Sequence, residues 1–260
     1  MLSVKISEGL GNQMFQYAYA KALQVRGYDV VINFHNSRMP HGGFSLGKYK
    51  IDLNPINHLT PHNIVHEGKL SFRENLLNVT DGSEISGYFQ SELYFKNIRD
   101  TIVNQFTLDE YSPYAKNIQA FIETNTCTCS IHIRRGDYAH HKQLKLLPID
   151  YYNDAIEYIN SKFKEVNFLV FSDDILFAKG FLKNQNITFI NSTEKRPPHE
   201  DIYLMSLCEH NIIANSSFSW WGAWLNSNKD KLVIAPEHWF IDEYTHEEPT
   251  DIVCKSWVKI

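Results

Sequence analysis

The stretch HIRRGDY places His132, Arg134, Arg135 and Asp137 directly after a run of small and β-branched residues. Two adjacent guanidinium forks match the oxygens of a phosphate and are costly to leave half-buried without an anion. The stretch therefore asks for a phosphorylated ligand. Alternation along the preceding strand puts His132 and Arg134 on one face and Cys127, Cys129, Ile131 and Ile133 on the other, which makes the cysteines core filler. Downstream, NSSFSWWGAWL sets Ser216, Ser217 and Ser219 where a helix should start. They can cap it while leaving backbone N–H groups for an anion. A diphosphate shared between the arginines and this helix start accounts for both features. Trp220 and Trp224, one turn apart, read as core.

These groups need a scaffold, and hydrophobic period supplies one. LSVKIS, a helix from GLGN to a stop at Gly27, and YDVVINF form a β-α-β unit, with Phe15, Ala18, Tyr19, Ala22 and Leu23 sharing one helix face. From about His35 to Asn117 no regular element is legible, and TLDEYSPYAKN reads as the linker. Beyond it the chain alternates: strands at 128–133, NFLVFS, ITFI, NIIA and LVIA, with helices at 149–163, from Asp174, through HEDIYLMSLCEH and through SFSWWGAWLN. Five strands alternating with four helices predict a doubly wound α/β domain, whose ligands bind outside the carboxyl ends of the strands. Besides the arginine segment, those ends carry Ser172, Asp173 and Asp174, then Asn191 and Ser192, then Asn215 to Ser217. Asp173 and Asp174 are adjacent and diverge, so one of them is expected to meet a base or a ribose.

Composition excludes several classes. The chain has 260 residues, 43% hydrophobic and 13% aromatic, enough for two modest cores. A net charge of −5 and a pI near 6.2 leave no broad basic surface, so no nucleic-acid partner is expected. Four cysteines without a C-x-x-C pair suit a reducing, cytoplasmic compartment. No H-E-x-x-H, D-x-D or Cys/His cluster signals a metal, and none is expected. GLGN lacks the third glycine of a dinucleotide fingerprint, since Met14 stands there, and no acidic residue closes VVINF. A nicotinamide cofactor is disfavoured. Gly9 and Gly11 still allow a tight turn, with Asn12 set to cap the helix.

GLGNQMFQYAYAKAL, HIRRGDY, FSDD and NSSFSWWGAWL occur in order through most of the chain and together resemble the α-1,2-fucosyltransferases. The resemblance implies a GT-B-like α/β fold, two Rossmann-like domains facing a cleft. The expected division is an acceptor-side domain at 1–115, with the tail 240–260 packed back on it, and a GDP-sugar domain at 118–239. The implied activity is inverting transfer of L-fucose from GDP-β-L-fucose to the 2-hydroxyl of a terminal galactose, without metal or cofactor. Arg134 and Arg135 would meet the pyrophosphate. His132 and one of Asp173 or Asp174 would meet the guanosine, and Ser216, Ser217 and Ser219 the phosphates. The glycine loop resembles that of the protein O-fucosyltransferases, which would place Asn12 and Gln13 near the sugar. Asp137, with His140 and His141 behind it, is the candidate base, or Asp137 orients an arginine instead. The partners expected are GDP-fucose and a galactose-terminated glycan, in a bacterial, cytoplasmic enzyme of surface-glycan synthesis, with peripheral association at the inner membrane where lipid-linked acceptors reside. A transferase for another nucleotide sugar, or a non-catalytic binder, stands as the alternative.

Overall fold

A computed structural model describes residues 1–35, 43–57, 59–182, 186–190, 197–247 and 249–260, the side chains of His140 and Thr245 excepted. The chain forms two compact units, Met1–Glu110 with Pro249–Cys254, and Tyr111–Glu248 with Lys255–Ile260.

The first unit runs β1 (Leu2–Ile6), α1 (Leu10–Val25), β2 (Val30–Phe34), β3 (Pro55–Asn57), β4 (Ile64–His66), β5 (Glu84–Ser86) and α2 (Arg99–Gln105). Its parallel sheet has the order β3-β2-β1-β5-β4. The segment without a legible pattern supplies three strands of three residues each, too short for alternation to show. Helix α1 is buried on every side from Leu10 to Leu23 apart from Asn12, which is why its apolar residues exceed the single predicted stripe. Its polar members are all engaged. Lys21 pairs with Asp52 at 2.7 Å, and the Tyr17 and Tyr19 hydroxyls donate to Gln105 and to the Leu76 carbonyl. Gly27, at φ +98, turns the chain out of the helix.

The second unit contains α3 (Pro113–Thr124), β6 (Thr128–Ile133), α4 (Ile149–Lys162), β7 (Asn167–Ser172), α5 (Ile175–Phe181), β8 (Ile187–Phe189), α6 (Pro198–Leu207), β9 (His210–Ile212), α7 (Ser217–Leu225), β10 (Val233–Ala235) and β11 (Val258–Lys259). These strands form a parallel sheet of order β11-β10-β9-β6-β7-β8, the doubly wound arrangement expected. The stretch read as a linker holds the boundary between the units, after Glu110, and its second half starts α3: the Ser112 hydroxyl accepts the Ala115 N–H at 3.1 Å and Pro113 occupies the first turn, a strong helix start. Within 240–260, residues Pro249–Cys254 group with the first unit, while β11 extends the second sheet.

Strand β6 is buried along its whole length. Ser130 joins a buried amide network in which Asn211 donates to Ser130 Oγ and to the Met205 carbonyl, and Asn226 donates to Asn211. Trp220, Trp221 and Trp224 pack edge-on and stacked in the core. Gly222 lets α7 approach α6, since a Cβ there would stand 2.8 Å from Met205 Cβ. No helix among the described residues is long and apolar enough to cross a membrane.

Candidate functional site

The register of the second sheet assembles the candidate site. Ile133 pairs with Ser172 and Ile131 with Ile212, so the chain after β6 emerges beside the ends of β7 and β9. Arg134, Arg135, Asp173 and Asp174 meet there. The Arg134 guanidinium donates to Asp137 at 2.6 Å and pairs with Asp173 at 2.8 Å. The Arg135 backbone N–H donates to Asp173 at 2.9 Å and its Nε to Asp174 at 3.2 Å. Both guanidiniums thus have carboxylate partners, and both remain partly exposed. Three carboxylates hold two forks in place at a strand edge, which fixes the orientation of both guanidiniums.

Aromatic rings brace the same groups. The Arg135 guanidinium lies 3.4 Å from the centre of the Phe177 ring, and that of Arg134 lies 5.4 Å from the Tyr138 ring. Tyr138 donates to the Asn215 carbonyl at 3.1 Å, and burial pushes its hydroxyl up to about 12. Asn215 in turn donates to the carbonyls of Lys145 and Trp239, both at 2.7 Å. Neither Phe177 nor Tyr138 was singled out by sequence; Tyr138 stood inside HIRRGDY, and Phe177 sits one helical turn from Asp174.

His132 is 5% exposed, and its Nδ1 is buried with no hydrogen-bond partner among the described residues. Burial, reinforced by the Arg134 charge, lowers its pKa to about 3, so the ring is neutral at physiological pH. Asp174 serves twice, since besides pairing with Arg135 it caps α5 through the Phe177 N–H at 3.1 Å. Gly136 is a tight point, because a Cβ there would lie 2.7 Å from Asp173 Oδ2.

The serines divide. Ser216 is the N-cap of α7, accepting the Phe218 N–H, and Ser217 opens the helix half-buried. Ser219 is fully buried, its hydroxyl accepting the Ala214 N–H and donating to the Ser216 carbonyl. It shapes the turn and is withdrawn from any phosphate. His141 is likewise occupied, its Nδ1 accepting the N–H groups of Gln143 and Leu144. The His140 side chain, and Asn191 and Ser192, lie outside the described residues.

The glycine-loop residues belong to the first unit. Helix α1 begins at Leu10, with Gly9 as N-cap in an extended conformation and Gly11 buried inside the helix. Asn12 is therefore within the first turn and caps nothing; its side chain accepts from Gln90 at 2.8 Å. Gln13 is fully buried, donating to the carbonyls of Glu8 and Gly43 and accepting the Ser45 N–H. Its amide is spent on the fold and does not face a sugar.

Tertiary structure assembles one metal-like group that sequence spacing did not show: Cys127, Glu209 and His210, at the opposite, amino edge of the second sheet. His210 Nδ1 already accepts the Leu232 N–H at 3.1 Å, so the neutral ring carries its proton on Nε2 and offers no free lone pair.

The comparisons with known proteins agree with this layout. Residues 1–260 match the model of glycosyl transferase family 11. The chain belongs to that family. It is 34% identical to an alpha-1,2-colitosyltransferase of Escherichia coli, over 98% of this chain and 97% of that protein. It is 25% identical to galactoside alpha-(1,2)-fucosyltransferase 1 of Bos taurus, over 96% of this chain and 73% of that one. Among solved structures, NodZ alpha-1,6-fucosyltransferase soaked with GDP-fucose superimposes with a TM-score of 0.50 at 12% identity, covering 86% of this chain and 92% of that one. This family 11 glycosyltransferase thus has a GT-B-like fold built from two parallel-sheet α/β domains.

Proposed function

We propose that this glycosyltransferase moves L-fucose from GDP-β-L-fucose to the 2-hydroxyl of a terminal galactose, with inversion and without a metal. The observation that carries the reading is the pair Arg134 and Arg135, fixed by Asp137, Asp173 and Asp174 at the carboxyl end of β6 and close in register to the chain leading into α7. The motif resemblance to α-1,2-fucosyltransferases supports the sugar and the linkage.

In the reaction the acceptor hydroxyl oxygen bonds to the fucose anomeric carbon as the bond from that carbon to the β-phosphate oxygen breaks, and the hydroxyl proton is released to solvent. Negative charge grows on the departing GDP. Arg134 and Arg135 meet it with fixed donors, which act most strongly where they need not reorganise. Neutral His132 takes a place beside the guanosine, and the start of α7 offers the backbone N–H of Ser217 to a phosphate. Asp137 orients Arg134.

One observation favours a second reading for the donor. The bacterial relative at 34% identity is named for colitosyl transfer, so a colitosyl donor is the competing choice. Purified protein mixed with GDP-fucose or GDP-colitose and a panel of galactosides decides between them. GDP release with a new disaccharide from GDP-fucose supports the proposal; turnover confined to the other donor overturns it.

A further inference from the structure

In the first unit, the carboxyl ends of β1 and β5 lie next to one another, because Ser3 pairs with Glu84 and Val4 with Ile85. Carried along the strands, this register sets the Ser7–Glu8 segment beside Tyr88–Phe89. Gln16 of α1 ties the two ends together: its amide oxygen accepts the Ser7 N–H at 2.8 Å, and its amide nitrogen donates to Ser7 Oγ and to the Gly87 carbonyl at 3.0 Å. Gln13 fixes the next peptide through the Glu8 carbonyl at 2.8 Å. Glu8 is thereby held at φ +65, the left-handed region a residue with a side chain adopts at a cost. Glycine would fit there without strain, yet the chain carries a carboxylate.

That carboxylate is half-buried, and no hydrogen bond or ion pair engages it among the described residues. Tyr88 is as closely braced from behind. Buried Glu67 accepts the backbone N–H groups of Tyr88 and Phe89 at 2.7 and 3.0 Å, while the Tyr88 side chain stays 38% exposed. Much of the surrounding hydrogen bonding serves to present an unengaged carboxylate and an open aromatic ring from adjacent strand ends.

The chemistry selects the ligand. A diphosphate is repelled beside Glu8 and is already provided for by the arginines of the second unit. A neutral ring that offers hydroxyl donors on one side and a C–H face on the other suits a carboxylate, an acceptor-only group, next to an aromatic plane. We infer that Glu8 and Tyr88 hold the terminal hexose of the acceptor glycan, the carboxylate on its hydroxyls and the ring against its C–H face, and so set acceptor specificity. The inference rests on the transferase reading above.

The test uses the full chain and compares wild type with Glu8→Gln, Glu8→Gly, Tyr88→Ala and Tyr88→Phe. The expected result for Glu8→Gln and Tyr88→Ala is an acceptor KM raised on the order of tenfold, with donor KM and GDP-induced thermal stabilisation unchanged. Tyr88→Phe, which keeps the ring, stays close to wild type. Glu8→Gly also raises the acceptor KM, while its Tm holds or rises because the left-handed backbone is relieved. An unchanged acceptor KM in Glu8→Gln and Tyr88→Ala overturns the inference, including the case in which Tm falls, since Glu8 would then act only on the start of α1. Saturation-transfer NMR with galactosides and other simple hexosides separates this from a failure of the donor assignment. Wild type should show sugar contact that Glu8→Gln and Tyr88→Ala lose, even if GDP-fucose is not the donor; no contact with any hexoside in wild type also overturns the inference.

Discussion

Arg134 and Asp137, three residues apart, are joined by a 2.6 Å ion pair, and the other terminal nitrogen of the same guanidinium reaches Asp173 at 2.8 Å. The fork is thus aimed from two sides before any ligand arrives. Asp137→Asn keeps the shape but weakens one anchor, so GDP affinity and transfer should fall together. A titration of GDP by calorimetry beside the transfer assay checks this. Loss of transfer at wild-type GDP affinity would return Asp137 to the role of base.

Arg134→Lys should be nearly as damaging as Arg134→Ala, because a point ammonium cannot pair with two carboxylates and a phosphate in one plane. A loss on the order of 100-fold in kcat is expected for a donor that stabilises the departing charge. Steady-state kinetics at saturating donor and acceptor measure it, and a lysine variant within a few-fold of wild type would remove the bidentate argument.

Gly136→Ala places a Cβ 2.7 Å from Asp173 Oδ2, a carboxylate pinned by Arg134 and by the Arg135 N–H. Something must shift, and the shift disturbs the arginine. GDP should stabilise this variant against heat less than it stabilises wild type, which a thermal-shift series over GDP concentration would show.

Two buried groups give opposite pH responses. His132 has a folded pKa of about 3 against 6.5, so its contribution to stability is complete above pH 6.5 and is lost as pH falls towards 3. Glu67, raised from 4.5 to about 7 chiefly by burial, contributes fully below pH 4.5 and loses that contribution as pH rises through 7. Glu67→Gln removes the second dependence. It also leaves one of the two N–H donors, Tyr88 or Phe89, without its acceptor, at a cost of about 1–3 kcal/mol. Urea unfolding of wild type and Glu67→Gln from pH 5 to 8 checks both: the gap between them should narrow as pH rises.

The second unit was legible in the sequence because its strands and helices are long enough to show their period, and because ligand groups follow strand ends in such sheets. NFLVFS is β7 to the residue. In the first unit β1, α1 and β2 were legible for the same reason, whereas β3, β4 and β5 were not, since they have three residues each and their pairing is set by tertiary contacts. The same limit hid Glu67 and Tyr88, which matter only once β4 and β5 lie side by side. Asn12 stood out in the glycine loop as a helix cap, a role that falls to Gly9. The helix starts two residues before Asn12, so the Gln13 and Gln16 side chains turn inward and hold the peptides at Ser7 and Glu8. At the arginine site, the charged residues were legible in HIRRGDY and FSDD, whereas the partners Phe177 and Tyr138 required the fold.

The central claim is a defined bond, and NMR of the purified product tests it most directly. Wild-type protein, GDP-β-L-fucose and a β-galactoside acceptor should yield a single new disaccharide. Its fucose anomeric proton should show the small coupling of an α linkage, with a through-bond correlation to C2 of galactose. A β-linked product, a bond to any other galactose oxygen, or release of free fucose with no disaccharide from any galactoside would contradict the account.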